Sequence, residues 1–253
     1  MTSRRPSVRV IRALCTLLLA WLSACGHETR PGLEGSAASA STSSERPRAV
    51  YVALGDSFTI GTGTSPSSAF PARLVSLQEA RGCRFQLQNL AKNGYTTDEI
   101  VARQLHEVTG AGLRLVTFSA GANELVRGIG EDEYRASLRR AFVLLRERLA
   151  SGTRLVVVPQ PDWSSAPVAR SFGEPAALSR EISRRNQVLR EEAQNAGAEY
   201  VDYASLTREL YSNANVAADG LHPSAEAHAA WARAIDQALG PLCDAGTSTS
   251  ARP

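Results

Sequence analysis

The sequence has no clustered surplus of charge of either sign in its body and no glycine-rich phosphate loop or dinucleotide fingerprint. It also has no G-x-S-x-G elbow, no internal repeat and no sign of a second domain. The formal charge of +3 is carried by the first 24 residues, where Arg4, Arg5, Arg9 and Arg12 stand with no acid. Beyond them 24 basic residues face 25 acidic ones, and such a body gives no electrostatic footing for nucleic acid. Histidine is scarce: His106, His222 and His228 are the only ones past the N-terminal region, and none has ligand spacing to a second His or Cys. No metal and no cofactor is therefore expected. With 43% hydrophobic and 21% charged residues, the 253-residue chain has the composition of one globular domain with a sizeable core.

The N-terminus is of another kind. Four arginines precede an apolar run from Ala13 to Leu22 that is too short for a comfortable membrane span, and small residues follow, as in a signal peptide over 1–24. Leu22-Ser23-Ala24-Cys25 resembles the bacterial lipobox, which implies cleavage before Cys25 and lipidation of that cysteine. A plain secretory signal with an incidental cysteine is the other reading. Residues 25–47 are rich in Ser, Ala and Gly with almost no large apolar side chains, so they are expected to form a flexible linker with a coil span of roughly 25 Å. The folded domain is expected over 48–243 and a disordered tail over 244–253. The protein is thus expected to be exported and anchored to the cell envelope, touching the membrane through the lipid alone. A monomer is the default.

In an oxidising compartment Cys83 and Cys243 either pair or remain separate thiols, because sequence does not supply the required Cα separation. Within 48–243, short β-rich runs at 49–54, 84–90, 113–119, 154–159 and 198–202 alternate with helical patterns at 69–81, 96–107, 131–150, 175–196 and 224–239. Three of the strands are near-continuous apolar runs, as in a parallel sheet covered on both faces. Tyr134, Leu138, Phe142, Leu145 and Leu149 share one helix face. The alternation predicts a three-layer α/β domain with right-handed crossovers and a ligand site beyond the carboxyl ends of the strands.

Polar segments fall at those ends. After the first strand stands Gly55-Asp56-Ser57 in a glycine-flanked turn that either exposes a nucleophilic Oγ or simply caps a helix. After the second comes Asn93-Gly94, and after the third Gly121-Ala122-Asn123-Glu124; each offers an N–H donor, and each also suits an ordinary turn. Near the end, Asp219-Gly220-Leu221-His222-Pro223 places a histidine three residues after an aspartate, so that Nδ1–H can reach the carboxylate while Nε2 remains a base.

Taken in order, Gly55-Asp56-Ser57, Gly94, Gly121-x-Asn123 and Asp219-x-x-His222-Pro223 resemble the four blocks of the SGNH (GDSL) hydrolases over roughly residues 48–240. The resemblance implies a flavodoxin-like α/β/α fold on a mainly parallel five-stranded sheet. It implies Ser57 as nucleophile, His222 as general base and then acid, and Asp219 as its orienting partner. The oxyanion hole would comprise the Ser57 and Gly94 N–H groups and the Asn123 amide. The substrate is then a small-molecule, carbohydrate or lipid ester, with short acyl or O-acetyl esters the default and lysophospholipids or thioesters the alternative. A non-catalytic surface binding module is the reading from another class. Glu124 stands where the family usually has Asp, from which altered loop packing is expected rather than lost activity. His228, inside the last helical pattern, reads as structural. Gly61 to Ser68 and Pro161 to Glu174 read as mobile walls of the site, the latter carrying Trp163 and Phe172.

Overall fold

The computed structural model describes residues 48–243; the expected signal peptide, Cys25, the linker and the C-terminal tail lie outside the described residues. Five strands, β1 (Ala49–Leu54), β2 (Phe85–Asn89), β3 (Leu113–Phe118), β4 (Arg154–Val157) and β5 (Glu199–Tyr200), form one sheet in the order β2-β1-β3-β4-β5, every pair parallel. The helices are α1 (Ser57–Ile60), α2 (Phe70–Ala80), α3 (Thr97–Arg103), α4 (Ala122–Val126), α5 (Glu131–Arg148), α6 (Pro175–Asn195), α7 (Ala204–Ser212) and α8 (Ala225–Leu239).

Strand side chains alternate between two cores. Tyr51, Ala53, Leu115 and Val156 meet residues of α2, α7 and α8, whereas Val52, Leu54, Val116 and Val157 meet α3, α5 and the second half of α6. The near-continuous apolar runs in β1 and β3 follow from burial on both faces. In α5 the predicted face holds: Tyr134, Leu138, Phe142 and Leu145 are buried, each contributing roughly 1.5–3 kcal/mol. Glu131, Asp132 and Glu133 in its first turn and Arg146 and Arg148 in its last complement the helix dipole. Glu192 of α6, itself buried, accepts from Arg135 and Arg139 at 2.9 and 3.0 Å and so ties α6 to α5.

The order places the topological switch at β1 and β3, where the chain leaves the sheet in opposite directions and opens a crevice at the carboxyl ends. The structure adds α4 and α7, which sequence periodicity does not reveal because one has five residues and the other nine. It also shortens β5 to two residues, and α3 ends at Arg103 before a separate 3-10 turn at Leu105–Glu107.

The sulfurs of Cys83 and Cys243 are bonded, with a Cα–Cα distance of 5.3 Å. The same region holds Gln78 of α2, which donates to Asp236 of α8 at 2.7 Å and to the Gly240 carbonyl at 2.9 Å, and Arg81, which also pairs with Asp236. The C-terminal end of the domain is thereby tied to the segment that enters β2.

His228 of α8 is fully buried between Phe70 and Trp231, and its Nδ1 accepts the Phe70 N–H at 3.3 Å. Burial, with some help from the His222 charge, pushes its pKa down to about 4. The imidazole of an unfolded chain takes a proton near pH 6.5, so this contribution to stability is complete above that pH and fades as pH falls toward 4. Comparing wild type with His228→Gln, whose amide still accepts the Phe70 N–H, should show the stability difference shifting against wild type by about 3 kcal/mol over that window. Asp56, discussed below, titrates with the opposite sign but is common to both proteins. Urea midpoints at several pH values check this, and a difference that does not change with pH would refute it.

Candidate active site

The first strand delivers the serine. Asp56 caps α1, its carboxylate accepting the Phe58 N–H at 3.0 Å, and Ser57 is the first helical residue. A helix start leaves N–H groups without intrahelical partners, and among the described residues the Ser57 N–H has none. The Gly94 N–H, in the loop after β2, is likewise unpartnered among the described residues. Gly94 has φ +76°, and its carbonyl is held by Arg127.

Asn123 is the second residue of α4, which follows β3. Its Nδ2 donates to the Tyr95 carbonyl at 2.9 Å and, at a longer 3.3 Å, to Asp56 Oδ2. Gly121 before it has φ +127°, and a Cβ there would stand 2.8 Å from the Tyr134 hydroxyl, so this close approach requires glycine.

The histidine arrives from the chain's other end. The turn is pinned by Ala217 N–H to the His222 carbonyl at 2.7 Å, and Asp219 Oδ1 accepts the Leu221 and His222 N–H groups, both at 2.9 Å. Asp219 Oδ2 lies 2.7 Å from His222 Nδ1. An ionised carboxylate only accepts, so Nδ1 carries the proton and Nε2 is left as the base. Burial opposes ionisation of Asp219, but the two backbone N–H groups and the imidazole outweigh it and hold its pKa below the ordinary carboxylate value. Gly63 backs this turn: at φ +83° it leaves room where a Cβ would fall 2.5 Å from Ala217 Cβ.

Ser57, Gly94, Asn123 and His222 line one cavity of about 210 Å³, so three loops and a C-terminal turn, far apart in sequence, converge there. Its remaining walls are mostly apolar: Phe58, whose ring centre lies 5.3 Å from that of His222, with Leu221, Trp163 and Phe172. Among the described residues no hydrogen bond links Ser57 Oγ to the imidazole; in unliganded hydrolases such contacts are commonly long and tighten with substrate. A larger open groove of about 600 Å³ between α5 and α6 includes Arg139, Val143 and Asn195 but no nucleophile with a base. Chemistry, not size, selects the smaller cavity.

Two expectations need correction. Of the two presumed mobile walls, only Pro161 to Glu174 supplies lining side chains; Gly61 to Ser68 lies beside the cavity, Thr62 donating to Asn93 at 2.5 Å. Nor is the Pro161 to Glu174 wall loosely held. It contains a 3-10 turn at Pro167–Ser171, Trp163 is 2% exposed and packs edge-on against Phe172, and Val168 N–H bonds to the Gly220 carbonyl at 3.0 Å.

Sequence reasoning also missed supporting residues. Buried Gln104 clamps Gly55 with both ends of its amide, at 3.0 and 2.8 Å, and Gln160 donates to Asp56 Oδ2 at 3.0 Å. Gln160 falls just past the fourth strand, the very edge where polar residues were sought, so its position was a usable signal. Gln104 ends a helical pattern and gave none. Glu124 is 2% exposed and accepts from the N–H and hydroxyl of Thr97 at 2.5 and 2.6 Å, which ties α4 to the start of α3.

Residues 53–230 match the model of the GDSL-like Lipase/Acylhydrolase family. No curated protein matches the sequence significantly. Among solved structures the chain resembles TesA (20% identity, TM-score 0.60, covering 77% of this chain and 99% of that one). It also resembles Axe2, an acetylxylan esterase from Geobacillus stearothermophilus (19%, TM-score 0.60, 76% and 94%). A third is an extracellular lipase from Streptomyces rimosus (20%, TM-score 0.55, 75% and 99%). At these identities the solved structures speak to fold.

Proposed function

Since this chain belongs to the GDSL-like lipase/acylhydrolase family and is a serine hydrolase acting on esters, we propose that Ser57 attacks the ester carbonyl with His222 and Asp219 as its proton-handling pair. His222 Nε2 takes the Ser57 proton as Oγ bonds to carbon, and Asp219, 2.7 Å from Nδ1, stabilises the imidazolium that forms. The oxyanion draws on the Ser57 and Gly94 N–H groups and the Asn123 amide. Collapse expels the alcohol with the proton from His222 and leaves an acyl-enzyme, which water opens by the same steps in reverse. The observation that carries this reading is the convergence of an oriented imidazole and two unpartnered backbone N–H groups on one cavity beside Ser57.

The preferred substrate in this reading is a short acyl or O-acetyl ester. A cavity of about 210 Å³ is small against the roughly 300–1,000 Å³ of typical ligand sites, and buried Trp163 backs its apolar wall. The acetylxylan esterase activity named for Axe2 is of this class. With p-nitrophenyl esters, kcat/KM should be highest for acetate and butyrate and fall by about 10-fold or more at octanoate and beyond. A rise with chain length would instead favour the lysophospholipase or thioesterase alternative.

The reading extends to location. The arginine-rich leader and Leu22-Ser23-Ala24-Cys25 support export and lipidation of Cys25, which would hold the domain at the cell envelope and leave the site facing ester substrates outside the cytoplasm. Labelled palmitate should enter the wild-type chain in a bacterial host and fail to enter Cys25→Ser; equal labelling of both would refute the anchor.

A further inference from the structure

Gln160 lies outside the four sequence blocks, yet it closes the buried polar group beneath the oxyanion donors. Its backbone is clamped by Asn186 of α6, which accepts the Gln160 N–H at 2.9 Å and donates to its carbonyl at 2.8 Å. From this fixed point Nε2 donates to Asp56 Oδ2 at 3.0 Å and to Ser119 Oγ at 3.3 Å. Asp56 is wholly buried, and Oδ2 receives a second side-chain donor, Asn123 Nδ2, at the longer distance of 3.3 Å. One oxygen thus has a firm donor that takes no part in the chemistry and a looser one that lines the cavity.

We propose that Gln160 is a positioning residue: it keeps the Asp56 carboxylate satisfied, so that the Asn123 N–H resting on Asp56 is oriented but free to bond the developing oxyanion. The inference rests on the reading of Asn123 as an oxyanion donor. A buried carboxylate with too few donors holds tightly to each one it has or takes up a proton. Without Gln160, Asp56 either draws Asn123 away from the substrate oxygen or becomes protonated and stops orienting it. Gln160 Oε1 has no partner among the described residues, so it offers an acceptor to a protonated Asp56 after an amide flip, giving the pair a second arrangement.

The electrostatics agree. Burial raises the Asp56 pKa to about 7, the Phe58 N–H opposes this, the Glu124 charge adds to it, and the Gln160 amide lowers it. The other ionisable groups around Asp56 are the buried phenols of Tyr134 on α5 and Tyr203 before α7, and Arg185 of α6 lies 5.7 Å from the centre of the Tyr134 ring. Removing the Gln160 donor therefore moves the Asp56 ionisation upward. Activity lost on acidification through protonation of Asp56 is then lost at higher pH than in the wild type.

The test uses the purified full chain and p-nitrophenyl acetate over about pH 5 to 9, with folding followed by circular dichroism. Gln160→Leu and the unbranched Gln160→Met should lower kcat roughly 10-fold, less than deletion of an oxyanion donor, with KM little changed and the acidic limb displaced to higher pH. Asp56→Asn, which keeps a capping side chain, should lower kcat throughout and remove the Asp56 contribution from the acidic limb. Folded Gln160 variants with the wild-type kcat and pH profile overturn the inference, as does an Asp56→Asn acidic limb identical to that of the wild type. If neither Gln160 variant folds, the Asp56→Asn profile decides. A wild-type chain that turns over no ester removes the hydrolase reading and this inference with it, whereas an active wild type beside unaffected variants removes the inference alone.

Discussion

Ser57→Ala should fold as wild type and lose ester turnover by roughly 10⁴- to 10⁶-fold in kcat, the scale seen when the nucleophile of such a triad is removed. The two halves of that expectation come from different observations. Ser57 Oγ makes no hydrogen bond among the described residues, and the cap of α1 is supplied by Asp56, so deleting the hydroxyl should change stability by no more than about 0.5 kcal/mol. His222 and the two unpartnered N–H groups remain in place but have no oxygen to activate, leaving only what binding and the oxyanion donors contribute. Steady-state assays with p-nitrophenyl acetate, and a fluorophosphonate label traced to its peptide, measure both halves. Label on Ser57 in wild type and none in the variant is the expected pair. Substantial turnover by a well-folded Ser57→Ala, or label on another serine, would place the nucleophile elsewhere.

The largest effect on stability is expected at the disulfide. Cys83 and Cys243 are separated by 160 residues, so their bond closes most of the domain into one loop in the unfolded chain; the chain-entropy estimate for a loop of that length is about 5 kcal/mol, and measured values usually lie nearer 2–4. Cys83→Ala with Cys243→Ala should therefore lower the unfolding free energy by about 2–5 kcal/mol. The catalytic turn should keep its geometry at moderate temperature, because Gln78, Arg81 and Asp236 still tie α2 to α8. Denaturant titrations of the two proteins, with thiol counts on the unfolded chains, test this. Equal midpoints, or free thiols mapped to Cys83 and Cys243 in the oxidised wild type, would contradict it.

How legible the molecule was in its sequence differs from element to element. Strands β1 and β3 were plain because burial on both faces leaves near-continuous apolar runs, and α5 was plain because its buried face repeats at helical spacing over 18 residues. Helix α4 has five residues, too few for periodicity to register, whereas the strand read at 198–202 is present but pairs over only two residues. The candidate site divides similarly. Ser57, Asp219 and His222 were legible through the resemblance of four short blocks, taken in order, to a known family, each block alone also suiting a turn or cap; the Asp219–His222 pair is a local contact that a three-residue turn makes nearly by itself. Gln104 and Gln160 were not, since glutamine is common and their partners, Gly55 and Asp56, lie 49 and 104 residues away.

By itself the sequence determined the class of fold, the order of its strands and helices in the chain, and the residue types available for chemistry, since these follow from local periodicity and local spacing. Only the tertiary structure decided which donors remain unpartnered among the described residues, that Cys83 meets Cys243, that Trp163 is buried in the wall of the site, and that a buried carboxylate beneath Asn123 is held by a glutamine. Those are contacts between segments remote in sequence, and their energies depend on burial and distance, which no local pattern encodes.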